Sequence, residues 1–189
     1  MEIFIILFLI LLNGIFSMSE IALVSSRKAK LEIAAKNGKK SAAEALELAN
    51  SPGRFLSTVQ IGITVIGILT GIYSGDTFKG YIAPLLIDIG VPVNYSDNVA
   101  VALITIAVTF LTLIFGELVP KRIGMAIPEE IATVVVRPMN ILSRAASPFI
   151  WLLSKSSDLI FKIIGLKEND NSVTEEEIKN IIQEGASGG

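Results

Sequence analysis

Three long apolar runs constrain this chain more than any other feature. They cover residues 3–26, about 55–74 and about 99–119, and each carries at most one charge, Glu20 in the first and Glu117 in the third. Each is close to the roughly 20 residues that an α-helix needs to cross a bilayer. In hydrocarbon the backbone must satisfy its own polar groups, so runs of this length predict helices. The fold class expected is therefore an all-α membrane protein with three transmembrane helices. A cleaved signal peptide would need a basic leader, and Glu2 is the only charge before the first run.

The loops orient the spans. Seven basic residues lie between the first two runs (Arg27, Lys28, Lys30, Lys36, Lys39, Lys40, Arg54), and Lys121 and Arg122 follow the third. Between runs two and three, Lys79 stands against Asp76, Asp88 and Asp97. The positive-inside rule then predicts a multi-pass protein of the cell membrane, its N-terminus outside and its C-terminus cytoplasmic. Residues 38–50 read as a cytoplasmic amphipathic helix with Ala42, Ala45, Leu46 and Ala49 on one face. Ser51-Pro52 reads as a cap followed by the first helical residue of span two.

Residues 127–166 mix apolar side chains with Arg137, Arg144, Lys155, Asp158 and Lys162, and Pro128, Pro138 and Pro148 punctuate them. Charges at that spacing, with Trp151, predict juxtamembrane or interfacial helices rather than a fourth span. Thr174 and Glu177 form a capping-box pattern, so a short acidic helix is expected over about 175–184. Residues 167–189 are expected to link onward to a missing cytosolic domain. The first 126 residues are expected to form the three-span domain.

Composition limits the chemistry. The chain has no Cys and no His, and its net charge is -2. Thiolate and imidazole metal sites are excluded, and the balance argues against nucleic acid as a partner. Every Lys lies outside the spans or at their ends, and no Gly-x-Ser-x-Gly elbow is present, so an enzyme is not expected.

Polar residues inside the spans carry the functional signal. Asn13, Ser17 and Glu20 share one face of the first helix, and Ser57, Gln60 and Thr64 share one face of the second. The third carries Thr105, Thr109, Thr112, Gly116 and Glu117 as a stripe. Pro120 has no N–H, so the Gly116 carbonyl, four residues earlier, loses its helical partner beside the Glu117 carboxylate. One carboxylate with hydroxyl and carbonyl oxygens suits a hard cation. Two plainer readings stand beside this one. The small polar residues serve as helix–helix glue, and Glu117 snorkels toward Lys121.

At these residues the chain resembles the transmembrane domain of the CorC/CNNM family, the DUF21 domain. The matching segments are Phe16-Ser17-Met18-Ser19-Glu20-Ile21-Ala22, Gln60-Ile61-Gly62-Ile63-Thr64 with Gly67-Ile68-Leu69-Thr70-Gly71, and Gly116-Glu117-Leu118-Val119-Pro120-Lys121-Arg122. The third is the most specific. The resemblance implies a homodimeric Mg²⁺ exporter, Na⁺-coupled in several members, followed by a cytosolic pair of CBS domains through which alone a nucleotide would bind. It places Ser17, Gly116 and Glu117 at ion-site positions. Gln60 and Thr64 stand where the magnesium branch has Asn, and Glu20 where it often has Asn.

The metal ligands expected are thus Ser17, Glu20, Gln60, Thr64, Gly116 and Glu117. Asn13, Ser57, Thr112 and Lys121 are placed to support them, and Pro120 breaks the helix. Mg²⁺ is the cation expected, with Na⁺ as coupling ion and lipid around the spans. The alternative is a membrane-anchored sensor whose activity lies in the cytosolic domain.

Overall fold

The computed structural model describes residues 2–164, the side chain of Asp76 excepted. The acidic helix expected over 175–184 lies outside the described residues. The elements are α1 (Glu2–Ser25), α2 (Lys28–Lys36), α3 (Lys40–Asn50), α4 (Gly53–Asp88), α5 (Val93–Leu113), a π segment (Ile114–Leu118), α6 (Val119–Ala126), α7 (Pro128–Ala145) and α8 (Ser147–Ile164). No strand occurs among the described residues.

Three helices are long and apolar enough to cross a membrane: α1, α4, and the continuous rod of α5, the π segment and α6. The protein is an all-α membrane protein, as the apolar runs predict. Neither α7 nor α8 joins the three. The second and third helices outrun the apolar segments that announce them. Polar residues end a span, not a helix, so α4 continues past Ser74 and carries Pro84 within it. It stops only where Gly90 takes φ +99°, a left-handed conformation that closes the turn. There the Gly90 and Val91 N–H groups donate to the Ile87 and Leu86 carbonyls. Helix α4 begins one residue later than Ser51-Pro52 suggests, with Pro52 rather than Ser51 as its cap.

Helices α4 and α5 return on each other, with Ala83, Leu86, Ala100 and Ile104 buried between them and Lys79 bridging to Asp97 at 2.7 Å. Helix α1 packs against α4, where the Phe16 ring lies over Gly62. The larger core gathers Leu9, Phe16, Leu23, Phe55, Val59 and Ile66 of the spans with Leu31, Ala45, Ile131, Val135, Val136 and Met139 of the flanking helices. Many large apolar side chains of the spans remain exposed on the single chain, as lipid-facing positions require.

Helix α7 is amphipathic and buries Ile131, Ala132, Val135, Val136 and Met139. Pro138 does not break it, contrary to the punctuation expected from the sequence. Both Pro138 and Val134, whose carbonyl loses its α-helical partner, are exposed, so that carbonyl is not stranded in a dry core. Pro128 and Pro148 do sit in first turns, where proline is tolerated. The described residues up to Ile150 form one compact unit, and residues 151–164 belong to a second. None of the residues of α8 is buried.

Polar contacts join α7 to the loop after α1. Glu129 accepts from the Arg27 backbone N–H at 3.2 Å and pairs with Lys30 at 3.3 Å. Lys39 donates to Thr133, and Arg137 reaches Glu44 at 3.6 Å. Burial alone would raise the Glu129 pKa. The bonds from Arg27 N–H, its own N–H and Lys30, with the Lys30 charge, outweigh it and hold the carboxyl below its usual value. A depressed folded-state pKa contributes stability above the unfolded value, lost as pH falls through the folded one. Glu129→Gln is expected to cost about 1 kcal/mol at neutral pH and to flatten the acid limb of thermal stability. An unchanged acid limb, followed by circular dichroism in detergent, would contradict this.

Candidate cation site

The site forms where α1 crosses the third long helix. At Gly14 a side chain is excluded, because a Cβ would stand 2.9 Å from both the Phe115 carbonyl oxygen and Pro120 Cγ. At Gly124 it would stand 2.7 Å from the Met18 carbonyl oxygen. Gly116 faces Asn13 Nδ2 and the Ile10 carbonyl at 3.1 and 3.3 Å from its Cβ position. Three glycines thus bring two backbones together along one seam, as small residues do in membranes.

Pro120 lies in the middle of that seam. It cannot donate to Gly116, and just ahead of it the helix widens into the π segment, a device frequent at functional sites. The carbonyl that Pro120 leaves without an α-helical donor does not stay bare. Asn13 Nδ2 donates to Gly116 O at 2.9 Å. Asn13 is therefore closer to the site than its expected supporting role suggests.

Two buried oxygens beside this bond have no partner. They are Asn13 Oδ1 and Ser17 Oγ, one turn apart on α1, in residues 6% and 1% exposed. Other buried hydroxyls of the same helices bond back to a carbonyl of the preceding turn, as Ser19, Ser26 and Thr70 do. An unmet buried polar atom costs about 1–3 kcal/mol, so each of the two calls for a partner that the protein itself does not supply. Glu117, next to Gly116, is half-buried, and its Oε1 lies 2.6 Å from Lys121 Nζ. The snorkelling pair considered from the sequence is thus present.

The three polar stripes do not all converge within one chain. Asn13 and Ser17 are buried and Glu20 half-buried on α1, and Gly116, which precedes Glu117 in the chain, contacts Asn13. Gln60 and Thr64 are exposed on α4 and Ser57 is half-buried. Thr105 and Thr109 are exposed and Thr112 is half-buried against Gly116. The buried face of α4 carries Phe55, Val59, Ile66 and Thr70 instead, because the Phe16 ring and the apolar core take that side. Of the glycines on α4, Gly62 alone packs closely, and Gly67 and Gly71 are open. An open cleft of about 350 Å³, lined by Glu44, Glu47, Arg54, Asn140 and Arg144, lies among α3, α4 and α7, apart from the stripes.

Among the described residues no three Asp, Glu, His or Cys side chains gather to hold a metal. A cation here would rest on one carboxylate and neutral oxygens, the donor set that Mg²⁺ accepts when it retains waters. Gly14 and Gly124 are positional residues that the polar stripes do not reveal. Their signal is the four-residue spacing of small or helix-breaking residues, Gly116, Pro120 and Gly124. Gly14→Val is expected to lower stability by about 1–3 kcal/mol through overpacking at the crossing. A melting temperature equal to that of the parent in the same detergent would contradict so close a crossing.

Residues 4–189 match the family described as the Cyclin M transmembrane N-terminal domain. Among similar proteins, UPF0053 protein sll0260 of Synechocystis is 45% identical over 190 residues, covering 100% of this chain and 42% of the relative. The polyamine export protein of Escherichia coli K12 is 33% identical over 189 residues, covering 100% of this chain and 42% of its own. UPF0053 protein YhdT of Bacillus subtilis is 31% identical over 184 residues, covering 96% of this chain and 40% of its own. The chain spans about two fifths of the length of these relatives.

Proposed function

The chain belongs to the cyclin M transmembrane domain family, and from that premise we propose that it is the membrane module of a cation exporter. Family membership, with a relative named as an exporter, supports a role in membrane transport rather than catalysis. The observation that carries the cation reading is the pair of unpartnered buried oxygens, Asn13 Oδ1 and Ser17 Oγ, one turn apart on the helix whose Asn13 bonds the Gly116 carbonyl.

In this reading Ser17, the Asn13 carbonyl oxygen, the second lone pair of the Gly116 carbonyl and the Glu117 carboxylate receive the substrate. Mg²⁺ is the metal ion that this oxygen set suits, with Na⁺ as coupling ion in the manner of the resemblance. Gln60 and Thr64 lie on the exposed face of α4. They contribute only if a second copy or a movement of α4 closes over the site, and this supports a dimer as the working unit. The loop charges support a cell-membrane protein with its N-terminus outside and its C-terminus in the cytoplasm. Export then runs from the basic face toward the α4–α5 turn, where Asp88 ends α4 and Asp97 lies in the first turns of α5.

A second substrate is favoured by one specific contact. Lys121 shows that the Glu117 carboxylate accepts a primary ammonium at 2.6 Å, and a relative is named a polyamine export protein. A polyamine is therefore the alternative cargo. The test is flux from proteoliposomes holding the intact protein, loaded with Mg²⁺ or with spermidine, with and without a Na⁺ gradient. Glu117→Gln is expected to lower flux of the true cargo by at least about tenfold, since each 1.4 kcal/mol is a factor of ten, while the protein still folds. Unchanged flux would remove Glu117 from the site, and absence of flux for both cargoes would favour the membrane-anchored sensor.

A further inference from the structure

The ion pair at the site has a consequence for which cations can enter it. Lys121 Nζ lies 2.6 Å from Glu117 Oε1, one turn further along the same helix, and the two side chains are 34% and 42% exposed. They are neither sealed from an incoming ion nor fully solvated. Lys121 is also held in register. It follows Pro120, whose ring packs on Gly14, and precedes Gly124, which abuts Met18 and Ile21. The seam thus fixes the backbone from which the Lys121 side chain reaches the carboxylate. The neighbouring basic residue, Arg122, is exposed and makes no ion pair among the described residues.

We propose that the Lys121 ammonium is a built-in counter-cation that occupies the Glu117 carboxylate, and that the transported cation binds by displacing it. This rests on the exporter reading above and names how its site selects. A monovalent ion that displaces an ammonium exchanges one unit charge for another, and gains nothing from the carboxylate. A divalent ion or a polyamine brings more charge to the same carboxylate and to the two buried oxygens on α1. Coulomb energy scales with the charge product, so displacement favours multivalent cations over Na⁺ or K⁺. The pair is worth little by itself, as half-exposed pairs are. A tether that is easily displaced is what a carrier needs if it is to release its cargo.

The test measures binding rather than flux, on the intact protein in lipid nanodiscs. Affinities for Mg²⁺, spermidine and Na⁺ are compared between the parent, Lys121→Gln, Lys121→Arg and Glu117→Gln. In parallel, the rate at which an amine-reactive reagent labels Lys121 is followed by mass spectrometry, with and without Mg²⁺ or Na⁺. Displacement predicts that the multivalent cargo speeds Lys121 labelling. It also predicts that Lys121→Gln tightens binding of the cargo, and of Na⁺ by a similar factor, by up to about fivefold, the range of half-exposed pairs. Lys121→Arg should stay near the parent. Cargo binding lost in Glu117→Gln, but unchanged or weaker in Lys121→Gln and with constant Lys121 labelling, would overturn the displacement and leave the exporter reading standing. No cargo binding by the parent, or equal binding by Glu117→Gln, would overturn both.

Discussion

The close crossing of α1 over the third long helix is the constraint on which the rest depends. Gly14, Gly116 and Gly124 allow the two backbones to touch, and Pro120 wedges between them. Hydrophobic burial does not drive helix association in lipid, so packing and hydrogen bonding must. Here both act at one level of the helix. The proline withholds a donor from the Gly116 carbonyl, the π segment absorbs the misfit, and Asn13 from the opposite helix supplies the missing donor. Pro120 does not break the helix as its sequence position suggests, and the freed carbonyl and the specificity of the crossing share a single hydrogen bond.

That arrangement also explains why the polar atoms of α1 stand apart from the other hydroxyls of the spans. Ser19, Ser26, Thr58 and Thr70 are satisfied by their own helices and ask nothing of their surroundings. Asn13 spends its amide on Gly116 and keeps its carbonyl oxygen aside, and Ser17 does not bond back. These two oxygens are the ones on which the proposed cation site rests.

Much of this was legible from residues alone. Hydropathy with loop charge was enough for three spanning helices, because bilayer thickness dictates run length. Pro120 and Gly116 announced a freed carbonyl through elementary helix geometry, and Asn13, Ser17 and Glu117 were marked as polar groups where polar groups are costly. What could not be read was which face of each helix turns inward. The stripe of Ser57, Gln60 and Thr64 is as regular as that of Asn13 and Ser17, yet Phe16 lying over Gly62 turns Gln60 and Thr64 outward. Periodicity identifies a face but not its partner. Helix ends were likewise hidden, because Gly90 rather than the first polar residue terminates α4.

We propose that Gly116, Glu117 and the α1 oxygens together hold the transported cation. A diffraction or cryo-electron microscopy structure of the intact protein equilibrated with Mn²⁺, located by anomalous scattering or by difference density against a metal-free sample, tests it most directly. The account predicts a single peak within coordination distance of Ser17 Oγ, the Gly116 carbonyl oxygen and a Glu117 oxygen, with Lys121 turned away. A peak at the cleft lined by Glu44 and Glu47 instead, or an intact Glu117–Lys121 pair with no density beside Ser17 at saturating metal, would contradict it.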